Sequence, residues 1–220
     1  MKRANNLLEK MVDNDNLNLA FWKARKGKEG IDYVEKYRQF LSYNLGNLSK
    51  EIEKGKVTVG NYSYFKVFDP KERLICAAQF SERVLHHALM NVCDPYFEKY
   101  QIYDSYASRK HKGTYAAIER AAVYQKKYAW FLKLDVRKYF DSIDHHTLVC
   151  LLEQQFKEKK TQTIFRDIID SYHTQEGKGL PIGNLTSQYF ANHYLAISDH
   201  FVKEQLKIKA YVRYMDDMVL

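Results

Sequence analysis

Cysteine, proline and glycine are scarce in this chain: three, three and nine among 220 residues. Cys76, Cys93 and Cys150 are widely spaced and odd in number, which excludes a disulfide framework and a CxxC zinc pattern. That usage fits a reducing compartment, and the cytoplasm is the expected location. Pro70, Pro95 and Pro181 each sit where one segment gives way to another, so no proline-rich linker divides the chain. Long apolar runs are missing as well. No stretch approaches the ~18 uninterrupted apolar residues of a membrane span, and the opening "MKRANNLLEKMVDNDN" lacks the apolar core of a signal peptide. A soluble protein with no membrane partner is expected. His86-His87 and His145-His146 have no neighbouring residues at zinc-ligand spacing, and the spacing of a calcium loop is absent.

What the chain does have is positive charge, 35 Lys and Arg against 27 Asp and Glu, a formal +8 that favours polyanionic partners such as nucleic acid. Residues 1 to about 55 read as mostly polar helix with a hydrophobic face at Tyr33, Tyr37, Phe40 and Leu41. "NYSYFKVFDPKERLICAA" alternates like two strands around a turn at Asp69-Pro70. Val84, Leu85, Ala88, Leu89 and Val92 then recur at helical spacing, with Pro95 as the expected stop, and "TYAAIERAAVYQKKY" supplies another helix. Helices are expected over about 146–158 and 161–174. A long helix follows the turn "EGKGLPIGN", with Phe190, Tyr194, Ile197 and Phe201 as its buried stripe and Thr186 or Ser187 as its N-cap. Strands and helices interleave without a βαβ rhythm, so the expected class is α+β.

Two strands end in acid. In "WFLKLDV", period-two alternation sets Trp130, Leu132, Leu134 and Val136 on one face and delivers Asp135 at the strand end. "YVRYMDDMVL" places Asp216 and Asp217 between apolar flanks, the pattern of a hairpin whose tight turn presents both side chains. A solvated surface turn would explain the pair alone. If the two strands are neighbours in one antiparallel sheet, however, Asp135 and Asp216 meet at one edge, and such a cluster is costly without cations. Mg²⁺ or Mn²⁺ prefers these hard oxygen ligands, and a pair of such ions is the recurring device of phosphoryl transfer.

"FLKLDVRKYFDSIDH", "GLPIGNLTSQYFANHYL" and "YVRYMDDMVL", in this order, resemble the successive palm motifs of reverse transcriptases, and "KERLICAAQFSERVLHHAL" and "DSYASRKHKGTYAAI" look like fingers segments of that family. The resemblance covers roughly residues 60–220 and implies fingers over 61–130 and a palm over 131–220, with the mostly helical stretch over 1–60 as an N-terminal extension. It implies RNA-directed DNA polymerisation from deoxynucleoside triphosphates on a template RNA and primer. Asp135 and Asp216 would bind two metal ions, with Asp217 completing the acidic cluster and the Val136 carbonyl as a further ligand. Phe140 matches the aromatic residue beneath the sugar of the incoming nucleotide; plain core packing is its rival role. Arg73, with Lys71 assisting, matches the basic residue that engages the triphosphate, a task suited to a guanidinium.

The loop "LPIGNLTSQ" carries Ile182 where most of the family has glutamine, and Ser187-Gln188 where most has Ser-Pro. This form is similar to the enzymes of diversity-generating retroelements, which copy RNA with errors at adenine and work with a basic accessory protein. Group II intron and retron enzymes, or a silent nucleic-acid-binding module of the same fold, are the alternatives. Ile182, Gly183 and Gln188 would then line the nucleotide site, Gly183 leaving room for the base pair or only serving turn geometry. Arg109, Lys110 and Lys112 would track phosphates, as would Arg137 and Lys138, although a solvated loop explains them nearly as well. The resemblance implies a primer-gripping segment and a thumb beyond the hairpin; Leu220 falls three residues after Asp217, so a fragment with little processive synthesis is expected.

Overall fold

A computed structural model describes residues 3–68 and 71–220. Four helices open the chain: α1 (Leu8–Val12), α2 (Asn14–Arg25), α3 (Asp32–Gln39) and α4 (Leu41–Lys54). Asp13 starts α2 by accepting from the backbone N–H groups of Asp15 and Asn16, and Gly55 ends α4 in the left-handed region. The buried face is Leu17, Phe21, Val34, Leu45, Leu48 and Ile52. The expected face is only half right, since Tyr33 and Phe40 are exposed while Tyr37 and Leu41 pack on the core. Phe40 leaves helical geometry between α3 and α4, so a 3.6-residue count carried across it loses phase, and Tyr33, in the first turn of α3, only flanks Phe80 from the surface.

Strands β1 (Tyr62–Phe68) and β2 (Glu72–Ala78) form an antiparallel hairpin, Tyr62 opposite Ala78 and Phe68 opposite Glu72. The turn expected at Asp69-Pro70 lies outside the described residues. Helix α5 (Phe80–Tyr100) does not stop at Pro95 but runs through it. An interior proline costs about 3 kcal/mol, and burying one aromatic side chain returns about 1.5–3 kcal/mol. Phe97 supplies that burial, packing against Phe156 and Tyr189 with ring centroids 5.2 and 5.6 Å away.

After α6 (Thr114–Gln125) come β3 (Lys133–Asp135), α7 (Tyr139–Ser142), α8 (His145–Gln155), α9 (Lys159–Asp170) and α10 (Leu185–His200). A π-helical turn (Phe201–Gln205) leads to β4 (Val212–Tyr214) and β5 (Asp217–Val219). The strand expected from Trp130 is shorter: Trp130 and Phe131 are exposed, and pairing begins where the Leu132 and Leu220 backbones exchange hydrogen bonds of 2.9 and 3.0 Å. On α10 the stripe is also corrected. Phe190 is buried, but Ile197 and Phe201 are exposed, and Ala191, Leu195, Ala196 and Asp199 turn inward. Two alanines give α10 a face flat enough to lie against both α5 and α8, which widens and rotates its buried side. Its N-cap is Asn184, not Thr186 or Ser187, which are buried in the first turn.

The second sheet has strand order β3-β5-β4, all antiparallel. One hydrophobic core runs from Ala4 to Leu195, joining the N-terminal helices to α5, α8, α9 and α10. Tyr106, Ala117 and Val212 make a smaller cluster between α6 and β4. The class is α+β, two small antiparallel sheets set among packed helices. No helix among the described residues is long and apolar enough to cross a membrane.

Candidate active site

The sheet β3-β5-β4 brings the acids together. Asp217 opens β5 and stands opposite Tyr214 of β4 on one side and Asp135 of β3 on the other. Residues directly opposite in antiparallel strands point to the same face, so Asp135 and Asp217 share one. Asp216 occupies the turn with Met215, whose φ of 54° is left-handed. Such a residue costs roughly 1–2 kcal/mol outside glycine, and Arg213 holds the strained turn by donating from Nη1 to the Met215 carbonyl at 2.8 Å.

Arg213 and Asp199 were not singled out from the sequence. Both are fully buried, and Arg213 donates to Asp199 from Nε at 2.8 Å and from Nη2 at 2.6 Å. Tyr211 adds its hydroxyl to the same carboxylate at 2.7 Å, while Asn192, Gln101 and Ser105 accept from the rest of the guanidinium. The acidic hairpin is therefore anchored to α10 and to the segment that follows α5 by a satisfied charge network. A faint signal exists in the sequence, a charged Asp199 one turn beyond Leu195 on the inward face and Arg213 between Val212 and Tyr214 in a strand.

The carboxyl of half-buried Asp216 is pushed above the usual carboxylate range, first by burial and then by repulsion from Asp135 and Asp217, with Arg73 pulling the other way. Hard oxygens in a mutually repulsive group are a donor set that suits a divalent cation. The convergence is incomplete. Among the described residues no group of three or more His, Cys, Asp or Glu side chains closes on one metal-sized point, and Asp217 faces Lys133 at 3.2 Å.

The other expected residues scatter around this edge. Val136 and Phe140 are half-buried against the main core, and the Phe140 carbonyl accepts from the Leu180 N–H at 2.9 Å, joining α7 to the loop before α10. Arg73 and Lys71 are exposed on or beside β2 and form no ion pair within 4.0 Å among the described residues. The Ile182 carbonyl accepts from the Cys76 N–H at 2.8 Å, docking the loop onto β2. Gly183 has φ 121°, and a Cβ there would lie 2.9 Å from Ile75 Cγ2 and 3.1 Å from the Cys76 carbonyl oxygen. The room it leaves is thus filled by β2 itself. Gln188 accepts from the Ser108 hydroxyl at 3.1 Å.

The cations of the basic loop all have partners within the fold. Arg109 is engaged bidentately by Glu98 at 2.9 and 2.7 Å and also donates to the Ile102 carbonyl. Lys110 pairs with Asp94 at 2.9 Å, and Lys112 donates to the Tyr103 carbonyl with its ammonium 3.4 Å from the Tyr103 ring centroid. Packing of this loop onto the end of α5 uses the charges that composition alone counts as available.

Comparison with known proteins identifies the family. The family described as reverse transcriptase (RNA-dependent DNA polymerase) matches residues 66–220. The putative COX1/OXI3 intron 2 protein of Saccharomyces cerevisiae is 24% identical over 80% of this chain and 20% of its own length. The group II intron-encoded protein LtrA of Lactococcus lactis subsp. cremoris is 27% identical over 63% of this chain and 24% of its own. The chain therefore spans about a fifth to a quarter of the curated relatives it matches. Among solved structures, a chain of a partial Cas6-RT-Cas1–Cas2 complex superposes with a TM-score of 0.55 at 17% identity, covering 98% of this chain and 38% of that one. A truncated apo telomerase from Candida tropicalis gives 0.55 at 13% identity, covering 73% and 43%. With the family match running from the end of β1 through the acidic hairpin, the chain belongs to the reverse transcriptase family.

Proposed function

We propose that the chain forms the fingers and catalytic palm of an RNA-directed DNA polymerase, with fingers over 61–130, palm over 131–220 and a helical extension over 1–60. The observation that carries this is the β3-β5-β4 sheet, which puts Asp135, Asp216 and Asp217 within one another's field at a single edge. Asp135 and Asp216 would hold two Mg²⁺ or Mn²⁺ ions, with Asp217 and the Val136 carbonyl completing the set once Asp217 leaves Lys133. When bound, such ions acidify an attacking hydroxyl and stabilise charge on phosphate oxygens. Arg73, with no ion pair among the described residues and close enough to act on Asp216, is suited to hold the triphosphate, with Lys71 beside it. Phe140 would meet the sugar, and Ile182, Gly183 and Gln188 would border the nascent pair.

The template is RNA and the primer a nucleic-acid strand with a free 3′-hydroxyl. For subtype, the Ile182-Gly183 and Ser187-Gln188 pattern supports the error-prone retroelement reading, which brings with it a basic accessory protein. The intron proteins among the relatives support a group II reading instead. Replacing Ile182 with glutamine separates them: fidelity opposite template adenine rises on the first reading and is unchanged on the second.

Single-nucleotide addition to a primer on RNA, with protein in excess, tests the function. Addition should require Mg²⁺ or Mn²⁺, and Asp216→Asn should abolish it while primer–template binding persists. Full addition by this variant would leave only a nucleic-acid-binding module.

A further inference from the structure

Three cations line a cavity beside the motif that carries Asp135. Arg137 and Lys138 follow that strand, and Lys178 reaches in from the loop between α9 and α10, around a volume of ≈ 420 Å³ that Ser142, Thr174 and Gln175 also line. None of the three cations has a carboxylate within 4.0 Å among the described residues, whereas Arg109, Lys110, Lys133 and Lys203 all do. Arg109, Lys110 and Lys112 are each engaged by a neighbouring group, whereas among the described residues the Arg137, Lys138 and Lys178 side chains are not.

The cavity is built rather than incidental. Thr174 donates from its hydroxyl to the Asp141 carbonyl at 2.8 Å, and its N–H donates to the Lys178 carbonyl at 2.9 Å. Gly179, at φ 108°, donates to the Ile143 carbonyl at 2.9 Å, and a Cβ on it would fall 2.7 Å from Thr174 Oγ1. The loop is therefore clamped against α7 and its following turn, and the clamp fixes Lys178 opposite Arg137 and Lys138. Lys138 itself takes a left-handed conformation (φ 50°, ψ 48°), the kind of backbone strain found where a side chain must be aimed. Two acids are near. Asp141 lines the cavity, and Asp144, whose carboxylate accepts from the Thr147 N–H at 2.8 Å, lies within the field of Lys178. Neither neutralises three cations, and the hydroxyl and amide groups of Ser142, Thr174 and Gln175 are the donors a phosphate oxygen accepts from.

We propose that Arg137, Lys138 and Lys178 form a subsite for a backbone phosphate of the nucleic-acid strand, placed immediately beyond the Asp135 strand. The assignment rests on the polymerase reading and adds to it a contact outside the loop at Arg109–Lys112. A strand phosphate, rather than the triphosphate of a nucleotide, fits a cavity that opens at the surface with all three cations exposed. The same oxyanion chemistry would serve either source, and the test separates them.

Binding of an RNA template annealed to a DNA primer is measured for the wild type, Lys178→Gln and Lys178→Arg between 50 and 200 mM salt. Losing one phosphate contact lowers the log–log salt slope by about 0.7–0.9. The affinity advantage of wild type over Lys178→Gln should thus shrink about threefold across that range, with no dependence on sequence and with Lys178→Arg close to wild type. Parallel salt slopes for wild type and Lys178→Gln overturn the subsite. Unchanged primer–template binding with a raised half-saturating deoxynucleotide concentration assigns the cavity to the triphosphate and also overturns it. If the wild type itself binds no primer–template, the polymerase reading fails as well, an outcome distinct from both.

Discussion

Asp199 of α10 and Arg213 of β4 form a fully buried pair, with Arg213 Nη2 2.6 Å from Asp199 Oδ2, directly beneath the turn that presents Asp216. The three acids of this edge are exposed or half-exposed, so their position cannot come from their own packing. It comes from this pair, which ties the strand to a long helix and the turn carbonyl to the strand.

Removing one partner should therefore be severe. Asp199→Ala leaves a buried guanidinium and the Tyr211 hydroxyl without their shared acceptor, a loss of about 3–5 kcal/mol. Urea denaturation should show a correspondingly lower midpoint. A shift within about 0.5 kcal/mol, the range of ordinary surface substitutions, would mean that the pair does not anchor the hairpin.

Glu82 and His86, both buried on α5, supply a pH dependence. Glu82 Oε2 accepts from the Gly60 N–H at 3.1 Å, while Oε1 lies 3.6 Å from His86 Nε2 and neither of those two atoms has a hydrogen-bond partner among the described residues. Burial pushes Glu82 up to about 7 and, with His87 adding repulsion, His86 down to about 3. A raised carboxyl contributes stability that is present below its ordinary value near 4.5 and is lost as pH rises through 7. The lowered imidazole does the reverse: its contribution is present above 6.5 and is lost as pH falls toward 3. Glu82→Gln removes only the first effect. Its stability relative to wild type should rise between pH 5 and 8, and chemical denaturation giving parallel pH profiles would refute this.

Gly183→Ala should destabilise the junction between β2 and the loop before α10. The new methyl would meet Ile75 and the Cys76 carbonyl, at a backbone angle L-residues rarely adopt; strain of this kind is worth about 1–3 kcal/mol. Faster hydrogen exchange at the Cys76 amide, which donates to Ile182, is the local readout. Unchanged exchange would show that the close approach is not needed.

Phe140→Ala tests the steric role against plain packing. Phe140 is half-buried, its ring 5.7 Å from that of Tyr139. Truncation of a partly buried aromatic is expected to cost about 1–3 kcal/mol, below the 3–5 of a fully buried one. On the proposed function, a folded variant should also incorporate ribonucleotides that the wild type rejects. Equal sugar discrimination by both would leave Phe140 as a core residue only.

Much of this protein was legible along the chain. The period-two runs identified both strands of the first hairpin and the two acid-bearing strands, and helical spacing located α5, α6, α8, α9 and α10. Asp135, Asp216 and Asp217 stood out because charge at the end of an apolar alternation has few structural reasons to be there. The ends and faces were less legible. Pro95 did not stop α5, because burial of Phe97 offsets the lost hydrogen bond. The stripe on α10 was rotated, because two helices rather than one cover it.

By itself the sequence determined the local periods, the order of the acidic motifs and the family they resemble, since these depend only on neighbours a few residues away. Only the tertiary structure decided which acid faces which. Strand order β3-β5-β4 put Asp135 opposite Asp217 and left Asp216 at the tip, a matter of register between distant segments. It also decided which cations are free, drawing Arg109, Lys110 and Lys112 into internal contacts and leaving Arg137, Lys138 and Lys178 around an open cavity. Charge is a property of residues, but its availability depends on what folding brings within a few ångströms of it.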